Sequence, residues 1–95
     1  GGWLDGMRAG GGTPLRKYRE ILPRRGPAAL EQDLTASDSV EPENQPKSHE
    51  WAVGFNTGVN TVKGRLMKAK QEGAGEGLRR ELDRPFDSTE GRQEP

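Results

Sequence analysis

The chain has 95 residues, with 15 basic and 15 acidic side chains that cancel, no cysteine and a mean hydropathy of -1.03. Leu, Ile, Val and Phe supply only 15 of the 95 residues, short of the roughly 20% that ordinary globular chains exceed. This excludes a large hydrophobic core, disulfide staples, thiolate metal sites and, with no apolar run of about 18 residues, a membrane-spanning helix.

Fixing one residue's backbone costs about 1–2 kcal/mol, and burying a large apolar side chain returns about 1.5–3 kcal/mol. On that balance the chain is expected to be largely disordered, with short amphipathic α-helices, all-α where ordered, and an αα-hairpin at 49–86 that a partner completes. Opening on Gly1, it reads as a processed product or an excised piece. Charge alternates along it: residues 1–27 are basic, 28–50 acidic, 51–72 basic and 73–95 mildly acidic, so neighbouring blocks attract.

Residues 1–12 are glycine-rich and are expected to be flexible, with Trp3, Leu4 and Met7 as a loose apolar cluster. Within 13–34, Thr13-Pro14 opens a short basic helix, because Thr caps free N–H groups and Pro suits the first helical position. Leu15, Tyr18 and Leu22 share one face of it, and Pro23 is expected to end it. A second short helix follows from Pro27, with Leu30 and Leu34 paired four apart. Residues 35–47, acidic and rich in Pro, Ser and Asn, read as a linker and as the main boundary in the chain.

The helical interaction region is placed at 48–86. Ser48 caps its start, and Ala52, Phe55, Val59, Val62, Leu66 and Ala69 are spaced three and four apart on one face. Alternation from Trp51 to Thr61 offers a strand as the competitor, but it fails at Val62-Lys63 while the helical stripe continues, so helix is preferred. Gly54 and Gly58 read most simply as weak points in this helix, with a close helix crossing as the other meaning. A shorter helix over 76–84 carries Leu78 and Leu82 and is closed by Pro85. Residues 87–95 are polar and expected to be disordered.

The chain carries carboxylates and serines but no rigid shell to hold them for acid–base or nucleophilic work, so no enzymatic activity and no cofactor are expected. The single His49 cannot build a metal site. The expected function is that of a non-enzymatic adaptor or regulatory segment folding on a larger protein. Trp51, Phe55, Val59, Val62 and Leu66 would be the anchors. Lys63, Arg65 and Lys70 flank that stripe, so the partner is expected to offer an apolar groove with an acidic rim, and a homodimer is disfavoured by like charge. Leu15, Tyr18 and Leu22 would form a second contact.

Two other functions compete. Arg16, Lys17, Arg19, Arg24 and Arg25, with a second group at Lys63, Arg65, Lys68 and Lys70, could neutralise phosphates of a nucleic acid while Tyr18 or Trp51 stacks on bases. Alternatively, the 51–69 helix could lie on a membrane surface. No signal peptide is visible, and a cytoplasmic or nuclear location is the expectation.

Overall fold

A computed structural model describes residues 2–35, 40–73, 75–87 and 89. Three helices follow in order: α1 (Gly2–Thr35), α2 (His49–Gly73) and α3 (Glu76–Asp83). Among the described residues there is no strand. The radius of gyration is 13.1 Å, close to the roughly 12 Å of a folded chain of this length and far from the roughly 31 Å of an unfolded one. A compact all-helical fold therefore replaces the extensive disorder expected from composition.

α1 corrects three expectations at once. Residues 2–12 are helical rather than flexible, Pro14 lies inside the helix rather than at its start, and Pro23 does not end it. The break comes instead at Gly26, whose φ of 86° and ψ of 171° belong to a region that essentially only glycine enters. Pro27, with its φ already set for a helix, restarts the chain. The arm 27–35 then folds back along the first, as the Lys17–Asp33 ion pair at 3.1 Å shows.

The first arm of α1 runs parallel to α2, and glycine decides how close the two come. An added Cβ at Gly6 would sit 2.0 Å from the Trp51 carbonyl oxygen, and one at Gly10 would sit 2.0 Å from that of Phe55. Reciprocally, a Cβ at Gly54 would lie 2.1 Å from the Trp3 carbonyl oxygen, and one at Gly58 would lie 2.3 Å from that of Met7. Two G-x-x-x-G stripes thus face each other and the backbones touch. Gly54 and Gly58, weak points of the helix by propensity, are the crossing itself. Here backbone dispersion and Cα–H contacts with carbonyl oxygens do what bulky side chains do elsewhere.

Beyond the glycine crossing the packing changes character. Leu15, Tyr18, Leu30 and Leu34 of α1 meet Val62 and Leu66 of α2 and Leu78 and Leu82 of α3 in one buried cluster, with Ile21, Leu22 and Phe86 at its edge. Gly11 leaves its bare backbone to the Phe86 ring. α3 returns antiparallel along α2 after Gly75, itself at φ 86°, as the pairing of Arg65 with Glu81 requires. Because α1 and α2 share one core, the segment 40–48 is a connection within a single unit and not a domain boundary. Residues 36–39, Ala74 and most of the polar tail from Asp87 lie outside the described residues.

Candidate interaction surfaces

The residues expected to grip a partner are mostly interior. Phe55 is 3% exposed, Val59 6%, and Val62 and Leu66 fully buried. Trp51 is half-buried and stacks on Phe55 with ring centroids 5.3 Å apart. Leu15 and Tyr18 are buried against Val62 and Leu66, so the two expected contact groups meet each other. Leu22 alone of that second group reaches the surface, where it helps line a cleft.

The flanking charges are satisfied in the same way. Arg65 pairs with the Glu81 carboxylate at 2.7 Å and donates to the Glu81 carbonyl at 2.9 Å. It also reaches the Arg84 carbonyl. A guanidinium therefore closes the C-terminal end of α3, where free carbonyls and the helix dipole favour a cation. Lys70 lies 3.6 Å from Glu31. The acidic rim expected of a partner is thus supplied by α3 and by the returning arm of α1. The alternation of charged blocks sets this pattern, since the Arg16–Glu43, Lys17–Asp33, Lys70–Glu31 and Arg65–Glu81 pairs all join neighbouring blocks.

The basic cluster at 16–25 is partly committed too. Arg16 pairs with Glu43, Lys17 with Asp33, and Arg19 donates from Nε to the Leu82 carbonyl at 2.7 Å. Arg24 and Arg25 are exposed. Tyr18 is fully buried, which removes it as a stacking platform. Burial, together with the nearby Asp33 carboxylate, pushes its phenol well above the ordinary tyrosine range, because both oppose a phenolate there.

Facing away from the core, α2 carries a second seam that sequence reasoning missed. Val53, Thr57, Asn60, Gly64, Met67 and Gln71 recur at alternating steps of four and three, the pattern by which one helix face meets another helix. Val53 is 42% and Met67 38% exposed, the large apolar side chains most open to solvent among the described residues. No member of the seam is charged, in a chain that is 32% charged. The Thr57 hydroxyl already donates to the Val53 carbonyl at 3.0 Å, so covering it strands no donor. Gly64 has nothing within 4 Å of where a Cβ would stand, so packing inside the chain does not account for it. A signal was legible: Val53 and Met67 lie off the inner stripe and fourteen residues apart, hence on one face.

Ser48 caps α2, its Oγ accepting from the Trp51 N–H at 3.1 Å. No helix is long and apolar enough to cross a membrane among the described residues. Comparison with protein-family models, with curated proteins and with solved structures finds no match for this chain.

Proposed function

We propose that the chain is a non-enzymatic adaptor or regulatory module that packs a helix of a larger protein along the outward seam of α2. The inner stripe, which first suggested this role, is the core, so the contact moves to the opposite face of the same helix. The observation that carries the reading is the uncharged seam from Val53 to Gln71, about 27 Å long at the helical rise. Desolvating such a face removes no charge from water. Gly64 at its centre lets a second backbone come near, and the Asn60 amide would fix register at some cost in affinity.

Lys63 and Lys68 border the seam on its two sides, and the exposed Lys68 favours an acidic flank on the incoming helix. Two copies of α2 would set Lys63 against Lys68 in a parallel pair, or Lys63 against Lys63 in an antiparallel one, so self-association through this face is disfavoured. Nucleic acid is the second reading, supported by the exposed Arg24 and Arg25 and opposed by the ion pairs of Arg16 and Lys17.

A photo-crosslinking side chain at position 67, in extract from the native source, tests the proposal. A discrete protein adduct is expected, resistant to nuclease and lost when Val53→Asp is added, with the thermal melt of the chain unchanged. Adducts to nucleic acid alone, or protein adducts indifferent to Val53→Asp, would overturn it.

A further inference from the structure

Where α1 and α3 meet, a cleft of about 290 Å³ opens between Arg19, Leu22 and Pro23 on one side and Arg79, Leu82 and Asp83 on the other. Of its apolar lining Leu82 is buried and Leu22 half-buried, while Arg19, Arg79 and Asp83 are exposed. Arg19 is fixed there by the bond from its Nε to the Leu82 carbonyl, 2.7 Å long, which leaves its terminal N–H groups able to donate further. Arg79 is exposed and its guanidinium has no ion-pair partner among the described residues. Asp83 is the single acid of the lining. The volume lies at the small end of ligand pockets and suits one large side chain with a polar group beside it.

We propose that this cleft binds the C-terminal residue of a peptide chain whose last side chain is a branched aliphatic one. The carboxylate would lie between Arg19 and Arg79 and the side chain on Leu22, Pro23 and Leu82. Two guanidinium groups beside an apolar lining select a carboxylate and an alkyl group only a few bonds apart. A C-terminal residue carries both on one α-carbon. An internal acidic residue in an extended peptide does not serve, since its neighbour's side chain points to the opposite face. This site is independent of the α2 seam and stands or fails without it.

Calorimetric titration of the full chain with acetyl-Gly-Ser-Gly-Leu bearing a free carboxylate tests the proposal, beside the same peptide as a C-terminal amide and 4-methylpentanoate. Saturable binding of the acid is expected, with the amide weaker by about tenfold or more for the lost charge-assisted bonds. Arg79→Gln should weaken the acid peptide by a similar factor. Asp83→Asn should tighten it by removing the one opposing charge, and both variants should keep the helical circular dichroism of the parent. Opposite shifts from two surface changes cannot arise from misfolding. No saturable binding of the acid peptide, equal binding of the amide, or 4-methylpentanoate binding as tightly as the peptide would each overturn the proposal.

Discussion

At the scale of single residues, the glycines of this chain divide by what stands opposite them. Gly10 faces the Phe55 carbonyl, with 2.0 Å left for a Cβ, and that obstacle is backbone. Gly10→Ala is therefore expected to destabilise the chain by about 1–3 kcal/mol, the usual range for overpacking, or by more if the helices must separate. Gly64 has open space at the same position, so Gly64→Ala should stabilise by up to about 1 kcal/mol through helix propensity alone. Urea denaturation of the two variants measures both signs. If Gly64 also admits a partner's backbone, Gly64→Ala should give a more stable chain that crosslinks less from position 67.

At the scale of elements, α3 shows how a short helix is held. Eight residues cannot sustain a helix in water, and Gly75 before it offers no side-chain cap. Leu78 and Leu82 are buried against α2, while Arg65 ties down the far end through the Glu81 side chain and the last carbonyls. The Arg65 side chain is only 7% exposed, and the Glu81 carboxylate it meets is 23% exposed, so that ion pair is largely shielded from solvent. Arg65→Ala is expected to cost about 2–3 kcal/mol, in keeping with hydrogen bonds to a charged group. Amide exchange should locate the effect: protection falls in 76–83 before it falls in 51–62.

α1 shows the opposite case, an element that local signals misassign. Its glycines and three prolines argue against a long helix, and taken alone they are right about propensity. What overrides them is the parallel crossing with α2, which only glycine permits, so the residues that weaken the helix locally make its packing possible. Gly6 and Gly10 meet Gly54 and Gly58 from far along the chain, and no window of sequence contains both stripes. The break at Gly26 was also hidden, because Pro23 is the stronger local stop signal and a positive φ cannot be read from sequence.

For the whole molecule, the buried cluster and the glycine crossing lead to the expectation that the chain folds without a partner. Thermal unfolding near neutral pH is expected to be one cooperative transition for a unit of this size. On the alkaline side, Tyr18 contributes to its pH dependence. The folded state holds the phenolic proton more tightly than the unfolded state, so this contribution is fully present below the ordinary tyrosine pKa of about 10 and is lost as pH rises beyond it. The melting temperature should fall on the alkaline side more steeply for the parent than for Tyr18→Phe, and that difference isolates Tyr18 from the lysines titrating in the same range. A non-cooperative melt would return the chain to the partner-dependent state that its composition suggests.

The sequence by itself determined that the ordered parts are helical, that α2 carries a continuous apolar stripe, and that oppositely charged blocks attract. Each follows from spacing or from charge along a single stretch of chain. Only the tertiary structure decided what covers the stripe. Tyr18 and Leu15, whose spacing suits a partner equally well, meet Val62 and Leu66 because the reversal at Gly26 and the glycine crossing place α1 along α2. Periodicity reports that a helix has a face to bury, but not against what. That depends on how closely two backbones can approach, and here the missing side chains of four glycines set the distance.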